Sequence, residues 1–187
     1  MSIASSNILS DYELWMAFKK GNKDSFSVLY KRHYASMYRY GAGMGIKDES
    51  VQDAIQEVFL RLYFNTSFNI IGTDLKFYLL RAVRNQLLDM RKSKKEFVEA
   101  AEQKVPEFIL HFTVEDQLMA AEEQKRLSEK ANQLLSHLTN RQKEIIYLHY
   151  IEELDYKGIA ALTNLNIQSV RNIVCKAMER LKGNGKL

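Results

Sequence analysis

The sequence predicts an all-α protein made of two small helical domains joined by a linker. Its 187 residues include only eight glycines and a single proline, a composition that favours helix. Apolar residues recur with helical spacing from about Asp11 to Lys92 and again from about Val114 to Leu181. No segment alternates apolar and polar residues long enough to require a sheet, and the hydrophobic content of 46% is that of a folded chain.

A segment without a clean period separates the two helical stretches. The sequence SKKEFVEAAEQKVPEFILHF begins basic, turns acidic and contains Pro106. We therefore predict a first domain at residues 1–94, a linker at 95–115 and a C-terminal domain at 116–187. The run IIYLHYI (Ile145–Ile151) has the composition of a buried strand, but its polar neighbours favour a helix in a small bundle.

Charge is distributed unevenly along the chain. Lys and Arg outnumber Asp and Glu by 14 to 9 in residues 1–94 and by 8 to 5 in residues 141–187, whereas residues 95–140 hold 5 against 9. Two basic ends around an acidic middle suit two separate contacts with a polyanion. Differences of this size also occur on ordinary protein surfaces, so charge alone does not decide for nucleic acid.

Cysteine usage and hydropathy indicate the compartment. Cys175 is the only cysteine, which excludes an internal disulfide and suits a reducing environment. No apolar run approaches the roughly 20 residues of a membrane span, and the N-terminus lacks a signal pattern. We expect a cytoplasmic protein.

Residue types that carry catalysis or bind metals form no pattern in the chain. The four histidines are scattered, without metal-ligand spacing: His33, His111, His137 and His149. No glycine-rich phosphate loop, nucleophile elbow or HExxH motif occurs. We therefore predict no catalytic residue, no metal site and no cofactor.

In the last predicted helix, apolar residues at i, i+3 and i+4 form one continuous stripe. The residues of this stripe are Ile167, Val170, Ile173, Val174, Ala177, Met178 and Leu181. At about 100° per residue, Gln168, Asn172 and Cys175 fall opposite the stripe, with Arg171 and Lys176 on its flanks.

The stretch before this helix has the pattern of a helix and a tight turn. A short helix buries Tyr156, Ile159 and Ala160. Asn164 lies where such a turn needs a left-handed residue, and Asn166 is placed to cap the next helix. Together the two helices form a helix-turn-helix, whose second helix enters the major groove of DNA.

The polar face of the last helix suits base recognition. Asn and Gln can bond adenine through two hydrogen bonds, and Arg can do the same with guanine. Cations around the motif are predicted to contact phosphate: Arg141, Lys157, Lys176 and Arg180. The alternative is an αα-hairpin in a bundle, with a polar face that only meets water.

A second polar face is predicted on the helix Thr73–Lys92. Its apolar side consists of Phe77, Leu80, Val83, Leu87 and Leu88, and its polar side of Tyr78, Arg81, Asn85, Asp89 and Lys92. An aromatic ring can stack on an unpaired base, an amide can read the base edge, and cations hold the backbone. The polar loop Phe64–Asp74 before it suits a pocket for an extruded base. A solvated helix with one exposed tyrosine explains the same pattern.

A third face lies on VQDAIQEVFLRLY (Val51–Tyr63). Six apolar residues are predicted to point inward: Val51, Ala54, Ile55, Val58, Phe59 and Leu62. Asp53, Gln56, Glu57 and Arg61 point outward around Leu60, which suits an anchor for a partner helix. A single exposed leucine is also common on protein surfaces.

In this order, the three faces resemble the sigma-70 family of RNA polymerase sigma factors, in its small extracytoplasmic-function (ECF) group. The resemblance covers about Asp11–Lys94 and Asp116–Lys182. DAIQEVFLRLY is similar to the group's core-binding segment, and FYLLRAVRNQLLDMRKSKK to the segment that melts and reads the −10 promoter element. Residues 138–181 resemble the −35-binding domain.

The resemblance implies a non-catalytic subunit that gives RNA polymerase its promoter specificity. The implied contacts with core polymerase are Asp53, Gln56, Glu57, Leu60 and Arg61. The implied −10 contacts are Tyr78, Arg81, Arg84, Asn85, Asp89, Arg91 and Lys92. The implied −35 contacts are Arg141, Lys157, Gln168, Ser169, Arg171, Asn172 and Lys176.

The implied partners are core RNA polymerase and promoter DNA, with no small-molecule substrate. Proteins of this group are commonly silenced by an anti-sigma factor, which is a further expected partner. Tyr78 stands where the family usually has tryptophan, and Asn164 where it usually has a turn glycine, so promoter preference is open. Two other classes also stay open: a helix-turn-helix regulator that acts without polymerase, and an all-helical adaptor.

Overall fold

The computed structural model describes residues 9–65, 74–97, 108 and 121–184, and within them the chain forms eight α-helices and no strand. The helices are α1 (Asp11–Lys19), α2 (Lys23–Gly43), α3 (Asp48–Phe64), α4 (Leu75–Phe97), α5 (Ala121–Ser136), α6 (Asn140–Tyr150), α7 (Tyr156–Thr163) and α8 (Ile167–Asn184). The predicted all-α class is confirmed. The run IIYLHYI is helical in α6, as its polar neighbours indicated.

The chain divides into two compact units. The first consists of Met1–Tyr38 and Asp48–Phe97, and the second of Arg39–Lys47 and Val98–Leu187. Two small helical domains were predicted, and this arrangement is confirmed. Helix α4 continues past the predicted start of the linker at residue 95, and most of the linker lies outside the described residues. The proposed limits at 94 and 116 stay predictions.

Helix α1 is held at its N-terminus by a capping box and an ion-pair cluster. The backbone N–H of Glu13 donates to Ser10 Oγ, and the Ser10 N–H donates back to Glu13 Oε2. Asp11 accepts from Arg32 Nη1 at 2.6 Å and pairs with His33 Nε2 at 2.7 Å. Burial alone would raise the pKa of the Asp11 carboxyl, but the hydrogen bonds from His33 and Arg32 outweigh burial and lower that pKa. The cluster thus fixes the start of α1 on α2.

The predicted inner face of α3 is confirmed in full. All six apolar residues are buried, and α3 packs against α4. In α4 the buried stripe differs from the prediction, because Leu75 and Leu79 are buried whereas Phe77 and Leu88 are half-buried. At 100° per residue, Leu75 and Leu79 share a face with Val83, whereas Phe77 and Leu88 lie more than 100° around the axis from Val83.

The turn between α7 and α8 has the predicted conformation. Asn164 is left-handed, with φ 56° and ψ 42°, and its N–H and that of Leu165 donate to the Ala160 carbonyl. Asn166 Oδ1 accepts from the Ser169 N–H at 2.7 Å, which caps α8. Asp155 caps α7 in the same way through the Gly158 N–H. The helix-turn-helix geometry is therefore specified by short-range hydrogen bonds.

Helix α8 buries its apolar stripe against α5, α6 and α7. Val170, Val174 and Ala177 are buried, and Ala177 packs with Leu135 and Leu138. The other members of the stripe, Ile173, Met178 and Leu181, are half-buried, whereas Ile167 and Tyr156 differ from the prediction. Ile167 is 41% exposed because it occupies the first helical position, ahead of the packed stripe, and the large ring of Tyr156 is only half-buried.

A substitution in the turn tests its backbone requirement. Asn164→Ala should lower the free energy of unfolding by about 1 kcal/mol, because a Cβ without a local hydrogen-bonding group disfavours positive φ. Asn164→Gly should leave stability unchanged or raise it. Urea unfolding followed by circular dichroism measures both variants, and equal losses would contradict the strain argument.

The Asp11 cluster predicts a pH-dependent stability. Because the pKa of Asp11 is lowered, its contribution is fully present above the unfolded value of 3.8 and is lost as the pH falls through the folded pKa. Solvent screens the partly exposed carboxylate, so Asp11→Asn should cost only about 1 kcal/mol at pH 7. The difference from the parent should shrink below about pH 4.

The control for this measurement is Asp53→Asn, which alters an exposed carboxylate of α3 outside the cluster. Urea titrations of both variants at pH 7 and at pH 3 make the comparison. A deficit of Asp11→Asn that persists unchanged at pH 3 would contradict the ion-pair explanation.

Candidate nucleic-acid interface

The exposed side of α8 presents the residues predicted to read DNA. We call this surface the α8 polar face, and its members are Gln168, Ser169, Arg171, Asn172 and Lys176. All are exposed except Ser169, which is half-buried. They project away from the buried stripe because hydrophobic packing fixes the rotation of the helix about its axis. The face matches the prediction in position, and its contacts with bases stay a prediction.

Two members of the α8 polar face bond each other. Gln168 Nε2 donates to Asn172 Oδ1 at 3.0 Å, across one helical turn. The bond orders two exposed amides that would otherwise rotate independently. After it forms, each amide keeps hydrogen-bonding groups that face solvent.

Arg171 lies beside an aromatic row on the flank of the face. Its guanidinium carbon is 6.0 Å from the centre of the Tyr156 ring, at the outer range of a cation–π contact. The Tyr156 ring in turn lies 4.7 Å from the His149 ring. The His149 Nδ1–H donates to the Leu154 carbonyl at 3.0 Å, since a carbonyl can only accept.

Some of the residues predicted to contact phosphate also stabilise the fold through bonds within the protein. Arg141 donates to Glu144 at 2.7 Å and to the Thr163 carbonyl at 2.8 Å, so it ties α6 to the end of α7. Arg180 donates to Gln142 Oε1 at 2.8 Å. Lys157 and Lys176 are exposed. A phosphate contact by Arg141 stays a prediction, and this residue has a structural role that the sequence did not indicate.

A loop closed by a buried hydrogen bond places α7 after α6. The Tyr147 hydroxyl donates to Glu152 Oε1 at 2.7 Å, and the Glu152 side chain is almost fully buried. Burial raises the pKa of the Tyr147 hydroxyl, and the nearby Glu152 carboxylate raises it further. The hydroxyl therefore stays protonated and keeps its role as donor.

The α4 polar face consists of the residues predicted to contact the −10 element. Arg81, Asn85 and Asp89 are exposed. The half-buried members are Tyr78, Arg84 and Arg91. The side chain of Lys92 and residues 66–73 of the predicted pocket loop lie outside the described residues. Arg81, Asn85 and Asp89 share one side of the helix, whereas Arg84 and Arg91 lie more than 100° around the axis from Asp89. Contacts of these residues with the −10 element stay a prediction.

The α3 outer face surrounds an apolar centre with polar groups. Asp53, Gln56 and Arg61 are exposed, Glu57 is half-buried, and Arg61 Nε pairs with Glu57 Oε1 at 2.9 Å. Leu60 is 53% exposed.

Sequence reasoning missed the largest apolar group on the α3 outer face. Phe64 is 74% exposed, the most of the described large hydrophobic side chains. Its ring contacts the Tyr63 ring at 5.3 Å. The signal was present in the sequence, because Phe64 follows Leu60 by four positions and so shares its face.

Other kinds of site find no support in the described residues. No three His, Cys, Asp or Glu side chains among them come together in a way that could hold a metal ion. Across residues 9–65, 74–97 and 121–184, no helix combines the length and apolarity that a bilayer crossing needs.

Two family models match the chain on the segments that carry these faces. The model for sigma-70 region 2 matches residues 29–97, which include α3 and α4. The model for sigma-70, region 4 matches residues 128–181, which include α6, α7 and most of α8. Together the two matches cover well over half of the chain.

Curated relatives match over most of their length. The ECF RNA polymerase sigma factor SigM of Bacillus subtilis (strain 168) is 23% identical over 155 residues, which are 82% of this chain and 91% of the relative. The ECF RNA polymerase sigma factor SigW of the same organism is 25% identical over 173 residues, 88% of this chain and 90% of the relative.

Solved structures share the fold at lower identity. The structure of CnrH in complex with the cytosolic domain of CnrY aligns with a TM-score of 0.58 at 18% identity, covering 92% of this chain and 95% of that one. The sigma factor RpoE in complex with the anti-sigma factor NepR from Bartonella quintana also gives a TM-score of 0.58, at 19% identity, covering 90% and 98%. With both sigma-70 regions present in order, the chain belongs to the sigma-70 family of RNA polymerase sigma factors, in its ECF group.

Proposed function

We propose that this ECF sigma factor binds core RNA polymerase through the α3 outer face and directs initiation at promoters read by the α4 and α8 polar faces. The observation that carries the proposal is the order of the two sigma-70 regions in one chain, each with an exposed polar face on its matched segment. The chain itself would carry no enzymatic activity and would act in the cytoplasm.

The α3 outer face has the composition of a protein-binding surface. Leu60 and Phe64 expose apolar area that a partner can bury, and the Glu57–Arg61 pair lies beside them. Apolar anchors one turn apart suit a partner helix that lies along α3. The ionic groups at the rim would set orientation and exclude wrong partners.

The α4 polar face suits a separated DNA strand. Tyr78 would stack on an unpaired base, Asn85 would bond a base edge, and Arg81 would hold the backbone. Arg84 and Arg91 would add positive charge along the same strand. The exposed Asp89 would disfavour phosphate at its own position and so help to define the register.

The α8 polar face suits duplex DNA. Gln168, Arg171 and Asn172 would enter the major groove and read base edges, with Ser169 next to them. Lys157 and Lys176 would contact phosphates and hold the domain in register.

Two weak contacts on one polymerase would act together. Each polar face is small, so each element alone would bind weakly. When core polymerase carries both faces, the second contact becomes intramolecular and its effective concentration rises. An anti-sigma factor, such as the partner of the related RpoE, would silence the protein by covering these faces.

Transcription in vitro tests the proposal directly. The purified chain is added to cognate core polymerase, transcripts are made from genomic fragments, and their start sites are mapped. We expect specific starts that share two sequence elements, and poor promoter binding by the chain without polymerase. Tight, dimeric binding to DNA without polymerase would instead indicate an independent regulator.

Arg171→Ala should weaken the −35 contact without affecting polymerase binding. Loss of one good base contact corresponds to about 1–3 kcal/mol, so initiation at −35-dependent promoters should fall roughly tenfold or more. Lys182→Ala is the matched control, because it removes a cation from an exposed position of the same helix more than two turns farther on. Equal loss of transcription and of polymerase binding would indicate misfolding instead.

Glu57→Lys combined with Leu60→Ala should have the opposite effect. Core polymerase should no longer be captured in a pull-down, because the apolar anchor and its ionic neighbour are both removed. Helical content by circular dichroism should be unchanged, since Leu60 is exposed and Glu57 lies outside the buried core. Gln52→Lys, on the flank of the same helix, controls for added positive charge. Undiminished capture by the double variant would refute the docking face.

A further inference from the structure

A chain of aromatic rings connects α1 to the exposed end of α3. The ring of Phe18, in α1, lies 5.1 Å from the ring of Tyr63, and the Tyr63 ring lies 5.3 Å from the ring of Phe64. Building on the proposed function, we propose that α1 positions Phe64 for core RNA polymerase through this aromatic chain. Phe18 and Tyr63 are then positioning residues of the α3 outer face, and Phe64 is the residue that contacts polymerase.

The backbone at Phe64 is fixed, so the direction of its ring is the freedom that remains. Phe64 is the last residue of α3, and the N–H of Asn65 donates to the carbonyls of Arg61 and Leu62 at 3.0 and 3.3 Å, which closes the final turn. Phe64 is also 74% exposed. An exposed side chain samples several rotamers, and the loss of this freedom weakens the binding of a partner. A ring that is already restrained in the free protein avoids part of that loss.

The Tyr63 ring restrains the Phe64 ring. Their planes meet at 81°, which is the edge-to-face arrangement that aromatic pairs prefer. Tyr63 is half-buried and is held on a second side, because the Phe26 ring of α2 meets it at 5.2 Å and 82°. Phe18 contacts the same ring from α1. Tyr63 therefore gives Phe64 a packing surface whose own motion is restricted.

Helix α1 keeps its position through contacts with other helices. It spans nine residues, and isolated helices shorter than about 12–15 residues are marginal in water. The Asp11 cluster holds its N-terminal end on α2, and near its C-terminal end Phe18 packs on the Phe26 ring at 4.7 Å. Trp15, between these two anchors, is 1% exposed. The docking of α1 thus decides where the Phe18 ring lies against Tyr63.

The aromatic chain ends on the face that polymerase is proposed to bind. At about 100° per residue, Phe64 lies about 40° from Leu60 and so shares its face. Tyr63 is turned toward α2 and α1, whose rings it contacts. The chain therefore runs from half-buried positions to the outside of the protein. The match to the sigma-70 region 2 model begins at residue 29, so α1 provides this support from outside the matched segment.

A double-mutant cycle with the full chain tests the proposal. The affinity for cognate core polymerase is measured for the parent, Phe18→Leu, Phe64→Ala and the double variant. Phe18→Leu should weaken binding about three- to tenfold, because the restraint on the Phe64 ring is lost. In the Phe64→Ala background the same substitution should have no further effect, because the residue through which it acts is absent. Equal losses in both backgrounds would overturn the proposal, and so would an unchanged affinity of Phe18→Leu.

Substitutions of Tyr63 test the middle of the aromatic chain. Tyr63→Leu removes the ring and should weaken polymerase binding about as much as Phe18→Leu does. Tyr63→Phe keeps the ring and its contacts with Phe18 and Phe64, so it should retain the affinity of the parent. A loss of affinity in Tyr63→Phe equal to that in Tyr63→Leu would assign the effect to the hydroxyl and overturn the proposal.

Val83→Ala is the control for general stability. It opens a cavity at a fully buried position of α4, outside the aromatic chain, and should lower the free energy of unfolding by an amount similar to Phe18→Leu. Urea unfolding measures this loss in both variants. Val83→Ala should nevertheless bind core polymerase like the parent. If it binds as weakly as Phe18→Leu, the effect of Phe18 is one of stability alone, and the positioning role is refuted.

The outcomes separate this inference from the proposed function. If the parent binds core polymerase and Glu57→Lys with Leu60→Ala abolishes binding, while Phe18→Leu binds like the parent, only the positioning role of α1 is overturned. If the parent does not bind core polymerase at all, the proposed function and the positioning role are overturned together.

Discussion

The burial of the apolar stripe of α8 is the constraint that sets the position of the α8 polar face. Val170, Val174 and Ala177 must leave water, and α5, α6 and α7 provide the surface that covers them. Once they are covered, the helix can no longer rotate about its axis, and the side chains on its other side necessarily face solvent. The left-handed Asn164 sets the direction in which α8 leaves the turn. Packing thus places the residues of the α8 polar face without any contact among them being required.

The same physical arrangement recurs in the first unit. In α3 six apolar residues are buried, and α4 likewise buries one stripe and exposes the opposite polar face. The exposed Leu60 and Phe64 break this rule, because they leave apolar area in water that the fold does not use. Exposure of these two residues does not weaken the core. When a partner covers them, the burial of their apolar surface stabilises the complex. This is why the α3 outer face suits a protein, whereas the faces of α4 and α8 suit nucleic acid.

Positive charge on the chain serves two purposes, and only the structure separates them. Arg32 closes the Asp11 cluster, and Arg141 joins Glu144 to the end of α7. Lys157, Arg171 and Lys176 are exposed around the helix-turn-helix. A count of basic residues therefore overestimates the number of cationic side chains whose only role is to bind phosphate. The residues that form internal bonds stabilise the fold first, and removing them would confuse a loss of DNA binding with a loss of stability.

The helical class, the two-domain organisation, the inner face of α3 and the turn at Asn164 could be predicted from the sequence, because these features depend on local periodicity and local hydrogen bonds. The sequence also contained the family resemblance. Tertiary structure decided which helix faces are fully covered, and so moved Leu75 and Leu79 into the α4 core and left Ile167 and Phe64 exposed. It alone decided that Arg141 and Arg180 bond partners distant in sequence. The spacing of apolar residues shows which side of a single helix prefers to be buried. Whether that side is buried depends on neighbouring helices that only the folded chain brings close.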